Sequence, residues 1–269
     1  MTREEKILSK INKENPGVEI GPSHAPVAPR RAGYKVHIID HMNREALKQK
    51  YTGHGVNLDN IEEVDFVWNG QSYAELTGKR KYYSWAIASH VIEHTPDLIR
   101  FINQCEEILT ADGVLSLVVP DIRYHFDYFR PITGISKVID AYYNKNIIHS
   151  AGTAAEYTMN VSTRGGQIGW DETTKKEFAL LHNFTEAVDN MQRIIKNKEY
   201  IDFHSWSFTP TSFRLMMRDL YDLGFISLKE TCYYPTAGCE FYITLSRNGN
   251  GFMEQRLDAL KTIKAELSL

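Results

Sequence analysis

The chain has 269 residues, of which 42% are hydrophobic and 24% are charged, and its net charge is −3 at pH 7. This composition is ordinary for a globular protein of one large domain or two small ones. The slightly negative charge disfavours nucleic acid as the main partner. We find no apolar run of the roughly 18 residues that a membrane span needs, and no apolar signal segment in the polar start MTREEKILSK.

The cysteines indicate a reducing compartment. Cys105, Cys232 and Cys239 are odd in number and show no CxxC spacing, so we expect free thiols rather than disulfides or a zinc site. A cytoplasmic protein is the plain expectation.

In the first half of the chain, predicted strands alternate with helices or loops. Apolar runs predict strands near 17–21, 35–40, 64–68, 83–89 and 114–121. Helical spacing predicts helices over 3–13, 43–51, 72–77 and 96–111. For the last of these, Thr95 is the expected N-cap, Pro96 the first residue, and Asp112-Gly113 the end. This alternation is typical of a parallel sheet with right-handed crossovers.

The second half begins with a less regular stretch, residues 123–207, which is rich in aromatic residues and histidines. Helices are predicted there near 135–145 and 183–198. A helix capped by Thr209-Pro210 and ended by Gly224 follows, then two antiparallel strands at 225–230 and 239–246, and an amphipathic helix over 252–268. We expect a core formed by 1–122 and 208–248, an insert of 123–207, and a C-terminal helix within 249–269.

The most informative stretch is VEIGPSHAPVAPRRAGYKVHIID, residues 18–40. A strand ends in Glu-Ile-Gly at Gly21, and the next strand ends on the acid Asp40. This arrangement suits a nucleoside ligand at the carboxyl edge of a parallel sheet. Because prolines 22, 26 and 29 separate the two strands, we expect no regular helix between them.

In this order, the elements resemble those of class I S-adenosylmethionine-dependent methyltransferases, of a type 11-like kind. The resemblance covers residues 17–121 and 209–246 and includes the segment SHVIEHTPD, residues 89–97, and the closing helix and strand pair. It implies an α/β fold: a Rossmann-like, seven-stranded, mostly parallel sheet with an antiparallel last strand. A helical, aromatic cap insert would be added to that sheet.

The resemblance also implies S-adenosyl-L-methionine as cofactor. Its expected contacts are Glu19, Gly21, Pro22, Ser23, Asp40, Trp68, Asn69, Gly70, Ser89 and His90. Within this set, Asp40 would bind the ribose hydroxyls, and residues 68–70 the adenine. Pro22, Ser23 and His24 stand where the family has its later glycines. Asp40 could instead only cap a helix, and Trp68 could be sheet core.

A sugar hydroxyl is a poor nucleophile, so a base near the fourth or fifth strand end is expected. The candidates for catalysis are His90, His94 and Asp121. The candidates for substrate contact are Arg123, Tyr124, His125, His204 and Trp206. Two alternatives stay open: His94 could merely orient the start of a helix, and Arg123 could pair with an acceptor phosphate or carboxylate, or form a salt bridge with Asp121 or Asp127.

The insert is interpreted as a substrate cap, whose aromatic residues either stack on sugar faces or fill a small core. Its end, FHSWSFTP, residues 203–210, resembles a segment in methyltransferase-like proteins of bacterial surface-glycan pathways. That resemblance implies O-methylation of a sugar hydroxyl in a cell-surface glycan or its precursor. The alternatives are a non-catalytic binding module and an N- or C-methyltransferase of a small metabolite. The terminal helices could pair in a homodimer or pack on the domain.

His90, Glu93 and His94 also match the HxxEH pattern of inverted zinc peptidases. That chemistry needs both histidines on one helical face. Here a buried strand runs into His90, and the helix is predicted to begin only after Thr95. No metal is therefore expected at this motif.

Overall fold

The structure, a computed structural model, describes residues 1–268. Its α-helices are α1 (Arg3–Ile7), α2 (Arg44–Tyr51), α3 (Tyr73–Thr77), α4 (Leu98–Ile108), α5 (Ile135–Tyr143), α6 (Ala151–Asn160), α7 (Phe184–Asn197), α8 (Pro210–Asp222) and α9 (Arg256–Glu266). Its strands are β1 (Gly17–Ile20), β2 (Val36–Asp40), β3 (Phe66–Val67), β4 (Tyr83–Ser89), β5 (Leu109–Pro120), β6 (Ser162–Arg164), β7 (Phe178–Leu180), β8 (Lys229–Ala237) and β9 (Glu240–Ser246).

Seven strands form one sheet in the order β3-β2-β1-β4-β5-β9-β8. The pairs from β3 to β5 are parallel, whereas β9 runs antiparallel to both β5 and β8. The predicted fold class is thereby confirmed: a Rossmann-like, mostly parallel sheet whose last strand in the chain is antiparallel. Strands β6 and β7 form a separate small hairpin.

Several helices begin with a capping side chain, and the cap of α8 was predicted from the sequence. The Asn43 side chain accepts a hydrogen bond from the amide of Ala46 at the start of α2. Thr209 and Ser212 form a capping box at the start of α8, with Pro210 as its first residue. Gly224 follows α8 with a φ of +78°, the left-handed geometry that glycine tolerates best.

The start of α4 differs from the prediction. Asp97, not Thr95, is the N-cap, and its side chain accepts a hydrogen bond from the amide of Arg100. The Thr95 hydroxyl instead donates to the carbonyl oxygen of Ile92 at 2.7 Å, so it is already used by the preceding turn. The same helix ends at Ile108, because the chain from Leu109 onward joins β5.

Other predicted boundaries were also wrong. Helix α1 ends at Ile7 instead of residue 13, and β8 begins at Lys229 instead of residue 225. The residues before β8 pack in the core, since Ile226 and Leu228 are buried there. The pattern within 123–207 also failed to reveal α6 and the β6–β7 hairpin.

The sheet is covered on both faces. One face packs against α4, α5 and α8, in the large cluster that includes Ile102, Val138 and Phe213. The other face carries Trp85 and Val118, with Ile7 of α1 packed against them. Apolar burial of this extent is the main stabilising term of such a fold.

Parts of the predicted cap belong to different hydrophobic clusters. Its helix α5 packs on α4 through the large core, whereas Ala154 of α6, Ile194 of α7 and Phe203 share a smaller cluster. The division into core and cap at 123–207 stays a prediction. Within residues 1–268, no helix is both long and apolar enough to cross a membrane. The three cysteines are free thiols, as expected.

Candidate functional site

The sheet has one point where the direction of chain winding reverses. From β1 the chain proceeds to β2 and β3 on one side, then crosses to β4 and β5 on the other. In open α/β sheets, ligands bind beyond the carboxyl ends of the strands at such a point. The segments that follow β1, β2, β4 and β5 are therefore the candidate site.

The loop after β1 is stabilised by hydrogen bonds to a buried carboxylate. The buried carboxylate of Glu19 accepts hydrogen bonds from the amides of Val27 at 2.7 Å and Ala28 at 3.1 Å. Burial raises the pKa of Glu19 to about 7, although the two amides act in the opposite direction. Glu19, predicted as a cofactor contact, thus shapes the loop from behind. As predicted, the loop contains no regular helix, only a 3-10 turn at Arg30–Ala32.

Backbone geometry bends this loop sharply over the strand end. Gly21 has a φ of +64° and Ser23 a φ of +47°. A Cβ at Gly21 would lie 2.9 Å from Cγ2 of Val91, so only glycine fits the turn without displacing a neighbour. Pro22 is buried between the two.

Asp40 closes β2 as predicted, but its carboxylate is engaged. Oδ2 accepts a hydrogen bond from the amide of Ser23 at 2.9 Å, and Oδ1 accepts one from the amide of His41 at 2.8 Å. The His41 Nδ1 also lies 2.6 Å from Oδ1, and the Asp40 side chain is fully buried. A ribose could reach this carboxylate only if Ser23 or His41 moved. Ribose binding by Asp40 stays a prediction.

The three predicted adenine contacts follow β3. The Trp68 amide donates to the carbonyl oxygen of Asp40, and its indole Nε1 donates to the carbonyl oxygen of Gln71 at 2.7 Å. The half-buried Trp68 ring packs against the large core cluster, as the core alternative implied. Asn69 and Gly70 are exposed beside it.

Ser89 and His90 end β4 and are both bound by charged partners. The Ser89 Oγ accepts a hydrogen bond from Arg3 Nη2 at 2.9 Å, and His90 Nε2 lies 2.6 Å from Glu240 Oε2. Burial lowers the pKa of His90, but the neighbouring carboxylates of Glu240 and Glu93 outweigh it and raise the pKa to about 9. A histidine with so high a pKa is already protonated at neutral pH and is a poor base, so a catalytic role for His90 stays a prediction.

Asp121 is also unsuited to act as a base. It is fully buried; Arg123 donates to both of its oxygens at 2.9 and 2.6 Å, and the Thr236 hydroxyl donates to Oδ2 at 2.6 Å. Of the two interpretations of Arg123, the structure contains the salt bridge with Asp121. The Arg123 guanidinium also lies 5.1 Å from the ring centre of Tyr124.

Trp206, predicted as a substrate contact, belongs to the core. Its side chain is buried, and Nε1 donates to the carbonyl oxygen of Thr95 at 2.7 Å. Trp170 is likewise buried. Phe129, Tyr143, Phe184 and Tyr200 are exposed aromatic residues within the insert.

Three predicted histidines, His94, His125 and His204, lie close to the acids Glu93 and Asp127. We define the histidine cluster as Glu93, His94, His125, Asp127 and His204. His204 Nδ1 lies 2.6 Å from Asp127 Oδ2, and the rings of His94 and His204 are 4.5 Å apart. Burial lowers the pKa of His125 to about 4, so this ring is neutral.

Outside the cluster, the exposed carboxylate of Asp202 holds His94, with Oδ1 2.8 Å from Nδ1. Asp127 in turn pairs with Arg130, whose Nη1 donates to Oδ1 at 2.9 Å. Neither acid lies in a recognisable motif. They could be found only by knowing which segments meet.

Glu93 is the most unusual member of the histidine cluster. It is 1% exposed, and within the described chain neither carboxylate oxygen has a hydrogen-bond partner. Burial raises its pKa, but the nearby histidines, His90 first, outweigh this and lower the pKa below its ordinary value. The HxxEH pattern was the one sequence signal that included Glu93.

The similarity of this chain to known proteins is structural and distant. No family model and no curated protein matches the chain. Among solved structures, an S-adenosylmethionine-dependent methyltransferase from Methanosarcina mazei is 15% identical, with a TM-score of 0.47, over 91% of this chain and 97% of that one. The CcbJ methyltransferase from Streptomyces caelestis is 11% identical, with a TM-score of 0.46, over 91% and 96%.

A third structure, an S-adenosylmethionine-dependent methyltransferase from Aquifex aeolicus, is 10% identical, with a TM-score of 0.43, over 90% of this chain and 88% of that one. Structural similarity at this level does not establish an activity, since one fold hosts many unrelated functions. The description of the site therefore depends on the geometry above.

Proposed function

We propose that the chain is an S-adenosyl-L-methionine-dependent methyltransferase that methylates a sugar hydroxyl in a cell-surface glycan or its precursor. The observation that carries the proposal is the order of the sheet, with Gly21 turning after β1 and Asp40 closing β2 beside it. This is the geometry in which a nucleoside lies across neighbouring strand ends. The inference from this geometry to methyl transfer rests on analogy with the family that the sequence resembles.

In the proposed reaction the hydroxyl oxygen attacks the methyl carbon as the carbon–sulfur bond breaks. The electron pair of that bond stays on sulfur, the hydroxyl proton is released, and the products are a methyl ether and S-adenosylhomocysteine. Because the sulfonium already activates the methyl group, the main task of the protein is to align donor and acceptor.

A sugar acceptor is supported by the resemblance of residues 203–210 to glycan-pathway proteins and by exposed aromatic rings in the insert. Phe129 is 49% and Tyr143 is 71% exposed, so each ring could stack on the apolar face of a sugar. The net charge of −3 gives no support to a polyanionic acceptor. The acceptor is thus proposed as a neutral or mildly charged glycan.

Two measurements test this proposal. Calorimetry with S-adenosylmethionine should show binding at one site per chain, and a donor labelled in its methyl group should transfer label to a glycan fraction with a mass gain of one CH2. Absence of cofactor binding would favour the non-catalytic module. Label found only on small nitrogen- or carbon-methylated metabolites would favour the other alternative.

A further inference from the structure

We propose that Glu93, His94 and His204 form a binding site for one divalent first-row transition-metal ion, such as zinc. Each of the three side chains offers a ligand atom, and these atoms all lie within 4.8 Å of one another. Ligands that share a tetrahedral zinc ion at about 2.1 Å lie roughly 3.4 Å apart. Small side-chain rotations would therefore bring the three atoms onto one ion.

Glu93 lacks the partners that a buried carboxylate needs. It is almost fully buried, and within residues 1–268 no hydrogen bond reaches either of its oxygens. The nearest cationic atom, Nδ1 of His90, lies 3.5 Å from Oε1, and that ring is already bound to Glu240 through Nε2. The His90 ring partly balances the charge of Glu93, but a buried carboxylate without hydrogen bonds keeps the capacity to bind a further cation.

Both histidines are oriented as metal ligands usually are. His94 Nδ1 lies 2.8 Å from Asp202, and His204 Nδ1 lies 2.6 Å from Asp127. When Nδ1 donates its proton to a carboxylate, Nε2 keeps its lone pair, and the acid fixes the plane of the ring. Two histidines and one glutamate are a donor set that binds zinc or iron and leaves a coordination position open.

A second set, His125, Asp127 and His204, also has ligand atoms within 4.8 Å of one another. Asp127 is less available there, because His204 and the fully buried guanidinium of Arg130 already occupy its oxygens. The arginine charge also opposes a second cation. The geometry therefore favours the set with Glu93, which differs from the His90–His94 pair of the HxxEH hypothesis.

The role of the ion rests on the proposed function, although its binding does not. His94 is 31% exposed, so the open position would face solvent. A bound cation makes an oxygen ligand release its proton more easily, which would assist a poorly nucleophilic acceptor hydroxyl.

The test measures metal, not activity. The untagged full-length chain should carry close to one ion per molecule by elemental mass spectrometry, and Co²⁺ loading should give the visible absorption of a four- or five-coordinate site. Glu93→Gln and His204→Gln should each weaken zinc affinity at least tenfold, as measured against a chromogenic chelator. Asp202→Asn, at an exposed position, should weaken it about tenfold by releasing His94.

His182→Gln is the matched control, since this half-buried histidine also pairs with an acid, Glu186, at 3.5 Å but lies outside the histidine cluster. The zinc affinity of this variant should equal that of the unmodified chain. The proposal is overturned if zinc binding is unchanged in both Glu93→Gln and Asp202→Asn, or if only His125→Gln abolishes it. Zinc binding without cofactor binding would refute the proposed function alone, and cofactor binding without zinc would refute this site alone.

Discussion

The backbone amide of Ser205 donates a 2.7 Å hydrogen bond to the carbonyl oxygen of Glu93. Together with the hydrogen bond from Trp206 to Thr95, this contact ties the end of the insert to the turn that follows β4, where His204 lies beside Glu93 and His94. The histidine cluster therefore depends on two segments that are far apart in the sequence. Substitutions in either of these two segments should therefore alter the histidine cluster.

Asp40→Asn should weaken S-adenosylmethionine binding about tenfold, because loss of one charge-assisted hydrogen bond costs roughly 1.5–3 kcal/mol. The amide keeps one oxygen that can still accept the hydrogen bond from Ser23, so the loop should persist. Calorimetry measures the affinity. The exposed Asp59→Asn should bind the cofactor normally, and equal affinities in both variants would remove Asp40 from the site.

Gly21→Ala should destabilise the chain by about 1–2 kcal/mol, the usual cost of left-handed geometry for a residue with a Cβ. The contact with Val91 should add to that cost. Gly53 also has a positive φ but has open space around it, so Gly53→Ala isolates the backbone effect. Urea unfolding should rank Gly21→Ala as the less stable variant. Adding Val91→Ala should recover part of the difference, and a lack of recovery would show that Val91 is not the obstacle.

Glu19 should make stability depend on pH. Burial raises its folded pKa to about 7 from an ordinary value of 4.5; Glu62 raises it further, while the loop amides and Arg3 lower it. Because the folded state then holds the proton more tightly than the unfolded chain, the contribution of Glu19 to stability is complete below about pH 4.5 and falls as pH rises through 7. The loss is on the order of 3 kcal/mol.

The measurement is the free energy of unfolding of the unmodified chain and of Glu19→Gln between pH 5 and 8. The unmodified chain should lose stability relative to the variant as pH rises. Glu45→Gln, at an exposed position of α2, serves as the control and should show no such trend. A difference between the unmodified chain and Glu19→Gln that stays constant across this range would contradict the raised pKa.

Arg130→Met should be strongly destabilising, by about 3–5 kcal/mol, because it leaves the buried Asp127 without its cationic partner. Both side chains of this pair are fully buried. Arg193 makes a comparable two-bond contact with Glu199 at the surface, where solvent screens the charges. Thermal unfolding of Arg193→Met should therefore match the unmodified chain, and an equally mild effect of Arg130→Met would show that Asp127 finds another partner.

Much of the sheet could be predicted from local patterns. The continuous apolar run 83–89 matches β4 at both ends, and the Thr209-Pro210 and Gly224 signals bound α8 correctly. These predictions succeeded because burial on both faces and helix capping depend on residues close in the chain. Thr95 does not cap α4 because its hydroxyl donates instead to the carbonyl oxygen of Ile92, a residue equally close in the sequence.

The sequence by itself determined the order of strands and helices, the position of Gly21 and Asp40 at adjacent strand ends, and the absence of a regular helix in the proline-rich loop between them. Only the tertiary structure decided which polar groups meet. Arg3 binds Ser89, and Glu240 binds His90. Arg123 pairs with Asp121, and the insert places His204 beside Glu93. The spacing of apolar residues and the capping of helices depend on a few neighbouring residues. The charge state and the partners of a side chain depend instead on long-range packing, which no local pattern encodes.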